Sequence, residues 1–152
     1  MTPVNLHPKT SNVERLKTVL VFGVFDLLHP GHIFFLEQAR RYGDHLVVVV
    51  CRDDRAENSK GRRPVLSLEE RLELIRALKS VDEAVPGDAP GEWSIITRYQ
   101  PNIICLGFDQ STDRPEIQQQ ISALPQTPKI IKLPRRNGKE LSSSILRRRL
   151  LD

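Results

Sequence analysis

The stretch Thr18–Cys51, TVLVFGVFDLLHPGHIFFLEQARRYGDHLVVVVC, decides the fold. Thr18 to Phe25 is an apolar run of strand length. PGHIFFLEQARRY then reads as a helix, with Pro30 in its first turn and Gly43 just past its end, the usual asymmetry of helix termini. HLVVVVC is dense in valine and does not alternate with polar residues, the pattern of a parallel strand covered on both faces. Strand, helix and strand in this order imply a right-handed crossover.

The pattern continues to the end of the chain. SLEERLELIRALK predicts a helix, with Ser67 and Glu70 at capping-box spacing and Leu68, Leu72, Ile75 and Leu78 near one face. VDEAV is a short strand, EWSIITRYQ a weaker helix and NIICL a strand. Asp113 to Leu124 predicts a helix, KIIKL a strand and SSSILRRRL a terminal helix. Alternating strands and helices make the fold class α/β: a doubly wound, Rossmann-like parallel sheet with helices on both sides. There are no repeats and no low-complexity segment.

The 152 residues suit one domain, with 1–17 a flexible N-terminal arm and 18–152 the folded unit. Hydrophobic residues make up 39% and charged residues 28%, and no apolar run nears the roughly 20 residues that span a bilayer, so no membrane partner is expected. Met1 to Lys17 lacks the apolar centre of a secretory signal, so the expected location is the cytoplasm. Cys51 and Cys105 each fall in or end an apolar run and read as small core residues. Two cysteines without a Cys-x-x-Cys pair give neither a disulfide framework nor a zinc or redox motif. The net charge of +4 is concentrated in KGRRP, LPRRNGK and RRRL. It suits a phosphate-bearing ligand and falls short of a nucleic-acid footprint.

In an open parallel sheet the ligand sits beyond the carboxyl ends of the strands. That rule selects Gly23 to His32, Arg52 to Pro64, Gly107 to Ser111 and Arg135 to Ser144. In the first of these, a helix opening at Pro30 points unpaired N–H groups outward, where an anion such as phosphate is favoured. His29 precedes the first turn and His32 lies inside it, so both could flank one anion. Gly31 allows a phosphate close to the backbone, and Gly23 allows the same for a nucleotide above the strand. A helix cap and a metal site are the alternatives. Zinc is disfavoured by the lack of a His-Glu-x-x-His helix and by the positions of His7 and His45, and no direct protein cluster for a metal is evident.

GVFDLLHPGH resembles the first motif of the HxGH nucleotidylyltransferases. RDDRAENSKGRRPVLSLEERLELIRALKSVDEAV is similar to the family stretch that carries a phosphate-contacting lysine, here Lys60, and then a Glu-Arg helix with Arg71. ICLGFDQ resembles the nucleoside-contacting segment that ends in Asp109, and LSSSILR the terminal motif whose hydroxyls hold the outer phosphates. The resemblance spans roughly Val19 to Leu150.

It implies transfer of a nucleoside monophosphate from ATP or CTP to a phosphorylated acceptor, with release of pyrophosphate. His29, His32 and Lys60 would be catalytic. Gly23, Val24, Phe25, Pro30, Gly31, Asp109, Ser142, Ser143 and Ser144 would join the histidines in holding the nucleotide. Lys60, Arg63, Arg71, Arg135 and Arg136 would contact acceptor or phosphate, with Arg71 otherwise in an intrahelical ion pair. Magnesium, or another divalent cation, would be held mainly by the nucleotide phosphates. Arg147 to Arg149 read as cations at a helix end, and Trp93 as packing or as a ligand platform.

PNIICLGFDQ is closest to archaeal-type FAD synthases, which adenylylate FMN. LPRRNGKELSSSIL resembles glycerol-3-phosphate cytidylyltransferases instead. The expectation is an FMN adenylyltransferase, with a cytidylyltransferase of glycerol 3-phosphate or a related polyol or sugar phosphate as the alternative. A non-catalytic nucleotide-binding module is the alternative from another class. Many relatives are dimeric, so a homodimer is the expected assembly.

Overall fold

The computed structural model describes residues 16–89, 92–136 and 142–151. Most of the expected N-terminal arm and residues 137–141 of the last loop lie outside the described residues. Five strands form one sheet in the order β3-β2-β1-β4-β5: β1 Thr18–Gly23, β2 His45–Val50, β3 Glu83–Pro86, β4 Ile103–Leu106 and β5 Lys129–Lys132. Every neighbouring pair is parallel. The connecting helices are α1 Pro30–Arg40, α2 Asp53–Lys60, α3 Leu68–Arg76, α4 Ile95–Tyr99 and α5 Pro115–Ser122, and α6 Ser143–Leu151 follows β5.

The pleat divides each strand between two cores. Val19 and Val21 of β1 join Val48 and Val50 of β2 under Leu36 of α1 and Leu72 and Ile75 of α3. Leu20, Val47, Val49, Ile104 and Leu106 point the other way, onto Ile95 and Ile96 of α4 and Ile121 of α5. This is why HLVVVVC shows no alternation: both faces of β2 are covered.

The structure adds one element and corrects one burial expectation. Asp53 to Lys60, where the sequence reading names no element, is the helix α2. It buries only Ala56, so its sequence carries no apolar stripe, and Gly61 ends it in a left-handed conformation at φ 76°. Cys105 lies in the core, but Cys51 is only half-buried, at the carboxyl end of β2 and facing a cleft. Burial raises both thiols, Cys105 to about 11, so neither is a thiolate at neutral pH.

The amino ends of the strands are closed by side chains that bind nearby backbone. Asp44 accepts from the Lys17 N–H at 2.9 Å, Asn102 from Thr18 at 2.8 Å and Asp82 from Leu46 at 2.7 Å. The Tyr99 hydroxyl donates to Glu83 at 2.6 Å, and the other Glu83 oxygen lies 3.3 Å from His45 Nε2.

Candidate active site

At the carboxyl ends of the strands the loops surround one cleft of ≈ 850 Å³. Its centre is the junction between β1 and α1. Phe25 and Leu27 both adopt positive φ, 54° and 49°, on either side of Asp26. A β-carbon on Gly23 would lie 2.6 Å from the Phe25 ring, so here the missing side chain first of all makes room for that ring.

The two histidines lock each other. His29 is the N-cap of α1: its Nδ1 accepts from the Gly31 N–H at 3.0 Å, and His32 Nδ1 accepts from the His29 N–H at 3.3 Å. Capping and ligand binding are therefore not alternatives. With Nδ1 occupied as an acceptor on each ring, the proton of the neutral imidazole resides on Nε2. The rings stack with centroids 3.8 Å apart at 28°, and the edge of Phe25 packs on His32 at 5.5 Å. Burial lowers the pKa of His29. Burial, then the charges of His29 and Lys60, lower His32 to about 3. Both rings are neutral Nε2–H donors at pH 7.

Asp26, which the sequence reading passed over, is the hub beside them. Its carboxylate accepts from Val65 N–H at 2.8 Å and Leu66 N–H at 3.0 Å, and it pairs with Arg147 at 2.5 Å. Burial raises its pKa, but the two backbone donors and Arg147 outweigh that and hold it below the usual carboxylate value. The Ser143 hydroxyl donates to the Asp26 carbonyl. Arg147 is thus not a solvated helix-end cation: it faces the cleft, and its Nε is buried without a partner among the described residues. Only long-range pairing singles these two residues out.

The structure brings together most of the expected site residues. Gly23, Val24, Phe25, Gly31, His29, His32, Lys60, Asp109, Ser142, Ser143, Ser144, Arg135 and Arg136 all line the cleft. Lys60 is the exposed last residue of α2, and Arg62 donates to Ser144 Oγ at 3.1 Å. Arg135 lies over the exposed Phe108 ring, 4.0 Å from its centroid. Trp93 also lines the cleft, with Arg55 at 4.4 Å and Arg114 at 5.6 Å from its ring centroid.

Three residues are placed elsewhere. Pro30 opens α1 on the exposed side, outside the cleft lining. Arg63 turns away to pair with Glu57 at 3.1 Å. Arg71 is fully buried and lies outside the cleft lining, and its ion pair is not intrahelical. It donates to the carbonyls of Leu66, Val24 and Cys51 and pairs with Asp53 of α2. Chain ends at β1, β2 and α3 leave carbonyls that need donors, and one guanidinium satisfies three of them.

Among the described residues no helix is long and apolar enough to cross a membrane, and no group of three His, Cys, Asp or Glu side chains could hold a metal ion.

The family model described as cytidylyltransferase-like matches residues 20–149. The chain belongs to the cytidylyltransferase-like family. Membership bears out the nucleotidyltransferase class read from the four motifs. A Thermoplasma volcanium protein named FAD synthase is 40% identical over 88% of this chain and 94% of its own length. A FAD synthase of Thermococcus sibiricus is 43% identical over 76% of this chain and 79% of its own. Among solved structures, a lipopolysaccharide core biosynthesis protein from Thermoplasma volcanium GSS1 is 40% identical. Its TM-score is 0.73, over 81% of this chain and all of that one. A Francisella tularensis pantoate-beta-alanine ligase, at 17% identity and TM-score 0.58, shares the fold, over 90% of this chain and 67% of its own.

Proposed function

We propose that this cytidylyltransferase-like protein is an FMN adenylyltransferase, making FAD and pyrophosphate from ATP and FMN. The observation that carries the reading is the stacked histidine pair. Two neutral imidazoles, each with Nδ1 tied to backbone, face the cleft with their Nε2–H groups. The names of the relatives support FMN as the acceptor.

A phosphate monoester with its second pKa near 6 is largely dianionic at neutral pH. An FMN phosphate oxygen therefore attacks the α-phosphorus of ATP without a protein base. The new P–O bond forms as the bond to the α,β-bridging oxygen breaks, and pyrophosphate leaves with that electron pair. His29 and His32 donate to oxygens that gain charge, and Lys60 offsets the charge on the leaving phosphates. The hydroxyls of Ser142 and Ser144 and the backbone N–H of Ser143, at the start of α6, hold the outer phosphates, and Asp109 contacts the nucleoside.

Magnesium bound to the triphosphate would neutralise charge between its phosphates. The donor set fits a cation carried by the nucleotide: Asp26 is committed to Val65, Leu66 and Arg147, and Asp88 to Ser94 and Ile95.

Pyrophosphate release should be measured with ATP and CTP, each crossed with FMN, glycerol 3-phosphate and several sugar phosphates, with and without magnesium. Turnover with ATP and FMN in magnesium is the expected result. CTP with a polyol phosphate would replace the reading by the cytidylyltransferase one, and no turnover in any combination would leave a binding module.

A further inference from the structure

The histidine pair, Lys60 and the start of α6 account for phosphates; they leave the deep end of the cleft unexplained. There the lining passes from Trp93 down to Ile95 and Ile96 of α4, Ile104 and Leu106 of β4, and Ile117 of α5. This floor belongs to the second of the two cores, so the cleft opens into hydrophobic interior. One polar side chain interrupts it. Gln120, 6% exposed, accepts from the Ile96 N–H through Oε1 at 3.2 Å. That bond fixes the amide orientation and leaves both Nε2–H donors without a partner among the described residues. The unbonded amide nitrogen stays open to the cleft, where an acceptor on a ligand can take the place of water.

The cleft also holds two aromatic rings with arginines on their faces. Phe108 with Arg135 lies beyond β4, next to Asp109, the expected nucleoside contact. Trp93 with Arg55 and Arg114 lies at the mouth of the apolar floor. A volume of ≈ 850 Å³ is near the top of the range of roughly 300–1,000 Å³ for one ligand, which suits two substrates side by side.

We propose that Trp93, the apolar floor and the Gln120 amide form a binding site for the planar ring system of the acceptor. The ring stacks on Trp93, its apolar part covers the isoleucines, and a ring carbonyl or nitrogen accepts from Gln120 Nε2. The inference rests on the two-substrate reading given above and deepens it. A polyol phosphate would leave several hydroxyls unbonded on this floor, a desolvation cost that a flat heteroaromatic avoids.

Trp93 is the only tryptophan in the chain, so flavin stacking on it can be read directly. The probes are FMN and riboflavin without ATP or magnesium, followed by their own fluorescence. Saturable quenching by the wild-type protein is expected with both, and none with Trp93→Leu. In turnover, Trp93→Leu should raise KM for FMN about tenfold with KM for ATP within about twofold, and Trp93→Phe should recover most of the loss. Gln120→Glu keeps the oxygen that caps Ile96 and removes the donors; it should raise KM for FMN with little change for ATP.

A KM effect confined to ATP, or flavin quenching abolished by AMP, would put the nucleotide base on Trp93 and overturn the assignment. Flavin bound and quenched but not adenylylated would sink the proposed reaction and keep the ring site. FMN adenylylated with a KM indifferent to both substitutions would keep the reaction and sink the ring site.

Discussion

The two ends of the sheet solve opposite problems with the same residue types. At the amino ends, Asp44, Asn102 and Asp82 each close on a backbone N–H of a neighbouring strand or loop, and Glu83 takes Tyr99 and His45. At the carboxyl ends, Lys60 and Asp109 stand exposed over the cleft, while Gln120 Nε2 and Arg147 Nε are left without partners among the described residues. Polar groups spent on the chain's own backbone make a fold, and polar groups withheld from it make a site. Arg71, Asp26 and Asp88 are instructive because they sit at the carboxyl ends and yet, like the amino-end residues, bond to backbone.

The largest effect expected is therefore from Arg71→Ala. It strands three carbonyls and the Asp53 carboxylate, and should cost about 3–5 kcal/mol of stability in denaturant unfolding. A stable variant with only a raised KM would return Arg71 to the ligand side of the comparison. Next comes the histidine pair. His29→Asn retains a good capping side chain and loses Nε2, so kcat should fall about 10²–10³-fold with the melting temperature nearly unchanged. His32→Ala should fall by a similar factor. Near-normal turnover in either would mean that the rings serve the helix alone.

At the amino ends, Asn102→Ala should cost about 1 kcal/mol and leave kcat/KM unaltered; a loss of activity would erase the contrast between the two ends. The smallest effect is acid sensitivity of the ligand-free protein. The His32 pKa of about 3 lies below the unfolded value near 6.5. The unfolded chain thus takes up a proton first, and the stability present above pH 6.5 is lost as pH falls toward 3. From pH 7 to pH 6 the loss is about 1 kcal/mol or less. Stability that rises on acidification through this window would contradict the buried, neutral imidazole.

The contrast also explains what could be read from the sequence. Val19 to Val21 and Leu46 to Val50 announce covered strands because burial on both faces demands unbroken apolar runs. Ser67 with Glu70 announces the start of α3, and the observed capping box follows. His-Pro-Gly-His was legible because cap, proline and glycine act within one helical turn. What escaped depends on distance. The partners of Asp26 lie 39, 40 and 121 residues away, and those of Arg71 are mostly main-chain carbonyls, which no residue type advertises. Helix α2 is nearly all polar because it lies over the rim and buries one alanine. Neither Gln120 nor the floor beneath Trp93 can be seen until α4 and α5 are folded against β4.

The strand order carries a mechanical implication. β1 pairs with β2 along six registers, from Thr18 with His45 to Gly23 with Val50, but with β4 at only two, Val19 with Ile103 and Leu20 with Ile104. The molecule thus has a seam between a three-strand and a two-strand half, and the cleft straddles it. Substrates bound there as proposed would act as a rivet across the joint with the fewest registers. Amide protons along β1 and β4 should then gain the most protection from exchange when the cleft is filled, and local opening of that seam would set how readily product escapes.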